Sequence, residues 1–166
     1  MLLDHTLNFR IRHYECDANG HLNHANYLRY IHETNLSALA AAGYNLNRLA
    51  SLNLVWRPRD VYIDYLRPLF FGDQVRVCAS LTNIYENRAV WDYDFKKPDS
   101  QNVYATSQIN SVLMNSTNDL PVQIPQELAA AVQPAGANSG SHTPILFPAL
   151  APRPPGAFIQ RWQARG

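Results

Sequence analysis

Between His13 and Tyr27 the chain gathers three imidazoles (His13, His21, His24), two carboxylates (Glu15, Asp17), a thiol (Cys16) and three side-chain amides (Asn19, Asn23, Asn26). Asp17 has the chemistry of a nucleophile or general base, and His21 can exchange a proton near neutral pH. Asn19 and Asn23 can orient a water or the carboxylate. The run ends where an apolar-periodic segment begins, so it reads as a loop feeding a helix. A helix N-terminus leaves unpaired N–H groups and a positive dipole end, which favour an anion or a developing oxyanion. The backbone N–H of His24, at the helix entrance, is the candidate donor. An Asp ahead of a glycine-containing turn also serves simply to cap backbone N–H groups, and residue types alone leave both roles open. His21 and His24 stand three residues apart, but no Cys pair or downstream ligand cluster accompanies them, so no metal is expected. Neither a Gly-rich phosphate loop nor a Ser nucleophile elbow is present.

The elements that must position this loop follow from periodicity. Leu7, Phe9 and Ile11 alternate with polar residues and predict a strand over residues 6–14. Leu28, Ile31, Asn35, Ala38 and Leu39 recur at helical spacing from Tyr27 until Gly43, a residue suited to a left-handed cap, giving a helix of about four turns. A short helical piece can follow over Tyr44 to Ser51. Extended segments come next at Leu54–Trp56 and Val61–Tyr65, with Pro58 marking a bend or an edge. Turn residues between Leu66 and Asp73 lead to a strand carrying Val75, Val77, Ala79 and Leu81. A return strand carries Trp91, Tyr93 and Phe95, and a final strand runs from Val103 to Leu113. The aromatic stripe is expected in the core rather than in a ligand tunnel. Asp64 and Asp73 flank turns and are expected to be structural, and Arg29 and Glu33 are spaced to pair on a solvated helix face. Strand, helix, then four strands joined by turns imply an α+β antiparallel meander with one helix on one face.

At 166 residues one domain is expected, over residues 1–132. Residues 133–166 hold six of the eleven prolines and no acidic residue, the composition of a tail that is flexible or docks through Ile145–Phe147 and Phe158–Ile159. A net charge of +1 without a basic run argues against nucleic acid or a membrane surface as partner, and for a small molecule. Cys16 and Cys78 have no paired spacing and read as free thiols. The N-terminus has no signal-peptide pattern and no long apolar run occurs, so a cytoplasmic protein is expected.

The stretch Glu15-Cys16-Asp17-Ala18-Asn19-Gly20-His21-Leu22-Asn23-His24-Ala25-Asn26-Tyr27 resembles the signature of single-domain hotdog-fold acyl thioesterases of the 4-hydroxybenzoyl-CoA thioesterase type. It is also similar to the Asp-x-Asn-x-His-x-Asn pattern of acyl-ACP thioesterases. Ile63-Asp64-Tyr65-Leu66-Arg67-Pro68, then Gly72-Asp73-Gln74-Val75, match the family's second strand and turn, so the resemblance covers about residues 5–128. It implies a five-stranded antiparallel sheet wrapped around a central helix. It also implies homodimers or dimers of dimers with the active site at the interface, an acyl-CoA or acyl-carrier-protein thioester as substrate, and no cofactor. Carried over by position, Asp17 is the nucleophile or base, the His24 N–H polarises the carbonyl, and Asn19, His21 and Asn23 support them. Gly20, Asn26 and Tyr27 within the signature, with Arg67 and Arg88 outside it, are assigned to substrate binding. Related hydratases and dehydratases carry Asp-x-Asn-Pro-x-His, whose His stands one residue further from Asp than His21 from Asp17, and Gly20 takes the place of its Pro. That favours hydrolysis; a third reading is an acyl-ligand-binding protein without turnover.

Overall fold

The computed structural model describes residues 3–132, and the tail expected at 133–166 lies outside the described residues. The elements are β1 (Asp4–Arg10), a single 3-10 turn (His13–Glu15), α1 (His24–Ala41), α2 (Leu46–Ser51), β2 (Leu54–Tyr65), β3 (Gln74–Tyr85), β4 (Arg88–Lys96), β5 (Val103–Asn115) and α3 (Gln126–Ala131). No helix among the described residues is long and apolar enough to cross a membrane.

Local chemistry sets the boundaries. β1 stops short of the predicted Tyr14 because Ile11 turns inward, 1% exposed, with its N–H on the Asp73 carbonyl and its carbonyl taking the Gly72 N–H. α1 starts three residues before the predicted Tyr27, because the Asn23 side chain accepts from the Ala25 N–H and caps the helix. At its other end Gly43 adopts φ +84°, the left-handed conformation that lets the Tyr44 N–H close back on the Leu39 carbonyl. The two extended segments around Pro58 are one strand with a register shift between Pro58 and Asp60, an irregularity tolerated because β2 is an edge.

All pairings are antiparallel, in the order β1-β3-β4-β5-β2. A simple meander would seat β2 beside β3, and the structure corrects this: β2 pairs with β5 at the far edge, and β1 takes the free side of β3. The connection over residues 66–73 explains the crossing. Leu69 within it is fully buried, its carbonyl accepts from the Leu22 N–H at 2.7 Å, and Gly72 bonds to Ile11. The connection therefore passes along the loop ahead of α1 instead of turning tightly.

The inward face of the sheet carries Val75, Val77, Ala79 and Leu81 on β3, Trp91, Tyr93 and Phe95 on β4, and Ala105, Ile109 and Leu113 on β5, all buried. The aromatic stripe is core, as the alternation predicts. α1 lies against it: Tyr30 stacks on Phe9 at 4.3 Å, Tyr27 meets Phe95 at 5.1 Å, and the Asn35 amide donates to the Tyr93 hydroxyl at 3.1 Å. Arg29 and Glu33 are both exposed, with no ion pair between them among the described residues. Asp73 is structural as expected, accepting from the Phe70 N–H and pairing with Lys97.

Burial pushes the Tyr27 hydroxyl up to about 12 and raises Tyr30 and Tyr93 as well. A phenol whose folded pKa lies above its unfolded value keeps its proton in the fold after the unfolded chain has lost it. That contribution to stability is complete below about pH 10 and is lost as pH rises through the folded values. Urea midpoints measured from about pH 9 upward should therefore fall through the pH 10 to 12 window, with part of the phenolate absorbance appearing only as the protein unfolds.

Candidate active site

Leaving β1, the chain makes its 3-10 turn and meets Glu15, which fastens the loop at four points. One carboxylate oxygen, Oε2, accepts from the Arg12 N–H at 2.7 Å and from the Tyr30 hydroxyl at 2.8 Å. Its backbone carbonyl accepts from the Asn23 N–H at 2.9 Å and from the Asn26 amide at 2.7 Å. The start of α1 is thereby tied to the strand end before it. Cys16 and Leu22 then pair as an isolated antiparallel bridge, and the Asp17 N–H donates to the His21 carbonyl at 2.8 Å. Gly20, at φ +77°, supplies the left-handed residue that closes this turn.

Inside the turn, Asp17 Oδ1 accepts from two backbone N–H groups, Asn19 at 2.8 Å and His21 at 3.0 Å. Nothing among the described residues donates to Oδ2. The carboxylate is therefore a cap through one oxygen and an unengaged anion through the other. The His24 N–H, first in α1, also has no acceptor among the described residues, whereas Ala25 is taken by Asn23 Oδ1 and Asn26 by the Asn23 carbonyl. An oriented carboxylate oxygen and an open helix-terminal donor thus flank one short bridge.

The other candidates have distinct surroundings. The half-buried His21 ring meets Phe70 edge-on at 5.1 Å, and the exposed His24 ring meets Tyr65 at 4.7 Å. Tyr27, 3% exposed, contacts Tyr65 and Phe95 and forms a wall. Asn19 is exposed; its backbone, not its amide, holds Asp17. Asn23 is engaged as the helix cap, and Asn26, 6% exposed, is engaged on Glu15. Arg67, exposed just past β2, donates to the Val103 carbonyl at 2.9 Å and shares the loop's end of the sheet. Arg88 opens β4 opposite Val112, at the sheet's other end. Burial, and then the charges of Asp17 and Glu15, raise the Cys16 thiol, which keeps it protonated and poorly nucleophilic.

Sequence reasoning passed over Glu15. Its partner hydroxyl lies fifteen positions on at Tyr30, beyond any local motif; the only local signal is its three-residue spacing from Arg12, which resembles half of a capping box. Replacing Tyr30 by Phe removes one donor from a carboxylate held against α1. The cost expected is about 1–3 kcal/mol in urea unfolding at neutral pH.

Comparison with known proteins places this geometry. The model of the thioesterase-like superfamily matches residues 11–132. An Aquifex aeolicus protein named "Putative esterase" is 28% identical over 119 residues, which cover 72% of this chain and 90% of that one. The solved 1,4-dihydroxy-2-naphthoyl-CoA thioesterase of Synechocystis is similar at 21% identity and a TM-score of 0.71, over 78% of this chain and 95% of its own. A Lactobacillus plantarum structure described as "oleoyl thioesterase (putative)" is similar at 21% identity and a TM-score of 0.74, over 79% of this chain and 50% of its own. The family match takes in the Asp17 loop, and among the described residues four of the five strands and the three helices, and so this five-stranded sheet around α1 is a hotdog fold and the chain belongs to the thioesterase-like superfamily.

Proposed function

We propose that the protein hydrolyses a coenzyme A thioester to a free acid and a thiol, with the Asp17 carboxylate and the His24 N–H as its working groups. The observation that carries this reading is the division of labour within Asp17: Oδ1 is locked by two backbone N–H groups while Oδ2 has no donor among the described residues. A carboxylate fixed in this way loses little freedom on reacting. The substrate carbonyl oxygen binds at the His24 N–H, where the positive end of α1 stabilises the oxyanion. Either Oδ2 attacks the carbonyl carbon, expelling the thiolate and leaving a mixed anhydride that water hydrolyses, or Oδ2 takes a proton from the water that attacks. His21, half-buried beside the loop, is the group suited to shuttle a proton to the departing thiolate. The coenzyme A handle takes support from the Synechocystis structure, a CoA thioesterase by its printed description. Arg67 is a cation at the loop's end of the sheet, suited to the handle's phosphates.

The working unit in this reading is a symmetric dimer. β2 is an edge strand whose residues 57–62 are exposed; on its inward side Val61 and Tyr65 stand 45% and 43% exposed, and Leu28 of α1 is 44% exposed. An isologous contact along β2 and α1 would cover this apolar strip and bring the partner's sheet end, with its Arg88, toward the site. Sedimentation should give twice the 18.8 kDa chain mass or a higher even multiple, and a monomer active at assay concentration would contradict this arrangement.

Thiol release from aryl- and acyl-CoA thioesters tests the reaction itself. Wild type should turn over at least one class, and Asp17→Asn, checked for native folding, should lose at least about a hundredfold in kcat/KM. In a single turnover in heavy-oxygen water, label recovered on Asp17 identifies the anhydride route, whereas label confined to the product acid is shared by the general-base route and by an anhydride opened at the acyl carbon.

A further inference from the structure

We propose that the cleft bounded by α1, α2 and the start of β2 is the docking site of this chain's own segment Pro144-Ile145-Leu146-Phe147-Pro148. That segment lies outside the described residues and beyond residue 132, where the superfamily match ends. Docking of this kind is independent of the chemistry at Asp17, so either can fail without the other.

The cleft, of about 430 Å³, lies at the end of the sheet away from the Asp17 loop, where β2 begins at Leu54 opposite Asn115 at the end of β5. Leu46 and Leu49 from α2, with Leu54 and Pro58 from β2, give it apolar walls. Two polar groups of its lining residues lack partners. The buried indole N–H of Trp56 has no acceptor, and the hydroxyl of Ser111, a residue 8% exposed, makes no hydrogen bond among the described residues. An unpaired buried donor costs free energy, so the occupant that suits this cleft brings acceptors. It brings no charge, because no Asp, Glu, Lys or Arg lines the cleft.

Composition and reach decide the occupant. Residues 133–152 carry no Asp, Glu, Lys or Arg, and Ile145, Leu146 and Phe147 are their one run of large apolar side chains, with a proline on either side. Proline has no N–H and favours extended backbone, so a segment bracketed by prolines offers carbonyl acceptors with few donors of its own. Grooves lined by aromatic residues recognise such segments, and a tryptophan there brings an indole N–H that needs an acceptor. The other apolar pair of the tail, Phe158 and Ile159, is followed by Arg161, for which the cleft holds no carboxylate. The point where the chain leaves the fold also fits. Val122 donates to the Leu113 carbonyl and Ile124 to the Glu86 carbonyl, which brings the chain entering α3 to the cleft's end of the sheet, and the described residues stop at the buried Val132. The link from Val132 to Pro144 spans up to about 40 Å when extended, enough to reach the cleft from there.

The test uses the full chain. Nitrogen-15 NMR follows the Trp56 indole N–H, identified by its loss in Trp56→Phe. In the double variant Leu146→Asp with Phe147→Asp its resonance should move and its proton should exchange with water at least about ten-fold faster, as expected when two buried apolar side chains are withdrawn. The control, Phe158→Asp with Ile159→Asp, should leave both unchanged. In a second arm, photoreactive p-benzoylphenylalanine replaces Phe147, and the cross-linked peptides are mapped by mass spectrometry. Cross-links should fall on α2 or on residues 54–58, and Leu46→Asp, at a position 60% exposed, should lower their yield at least about five-fold. An unchanged Trp56 N–H in the Leu146→Asp, Phe147→Asp chain, or cross-links from position 147 confined to other parts of the fold, would overturn the inference. A Trp56 resonance that moves with protein concentration but not with the tail substitutions would overturn it too, and would give the cleft to a second copy of the chain.

Discussion

The carboxylate and carbonyl of Glu15 are the joint on which the rest of this structure depends. A loop that carries an anionic side chain beside an open helix terminus would collapse into the nearest hydrogen bonds unless something fixed its ends. Glu15 does so with four donors drawn from three places: Arg12 before it, the Asn23 and Asn26 pair at the start of α1, and the Tyr30 hydroxyl nearly two turns further on. Tyr30 is itself stacked on Phe9 of β1, so the same contact that holds the loop also seats the helix on the sheet. Loop geometry and core packing are therefore one cooperative unit, and a half-satisfied version of it would leave a partly buried carboxylate without its partners.

Given that joint, the chemistry asks little more of the fold. A thioester is already activated, so its cleavage needs a positioned carboxylate and a polarised carbonyl, and the Asp17 turn and the first residue of α1 supply candidates for both within eight positions. What such a pair accepts as substrate then falls to the side chains around it. Function resides in the site and its walls, while the sheet and helix give them a rigid mount.

Much of this was legible in the chain itself. Trp91, Tyr93 and Phe95 announce an inward strand face because alternation and bulk point the same way, and Gly43 marks a helix stop through backbone chemistry that acts locally, whereas the helix starts at the Asn23 cap and not at the Tyr27 that apolar periodicity suggests. The Asp17 loop stood out because its residue types cluster. Strand order was not legible: the place of β2 beside β5 depends on Leu69 being buried under the loop, a tertiary contact with no periodic signature. Asn26 reads from sequence as one more amide near a ligand, yet it is engaged on the Glu15 carbonyl. Glu15 itself was overlooked because its decisive partner is remote in sequence.

The most direct test of the central claim is a crystal structure of the wild-type protein with a coenzyme A ketone analogue, in which a methylene replaces the thioester sulfur. The expected result places the ketone oxygen about 2.7–3.1 Å from the His24 backbone nitrogen, with Asp17 Oδ2 facing the carbonyl carbon directly or through one water. A ketone bound away from the α1 terminus, or an Asp17 side chain turned from it with both oxygens engaged by the loop, would contradict it.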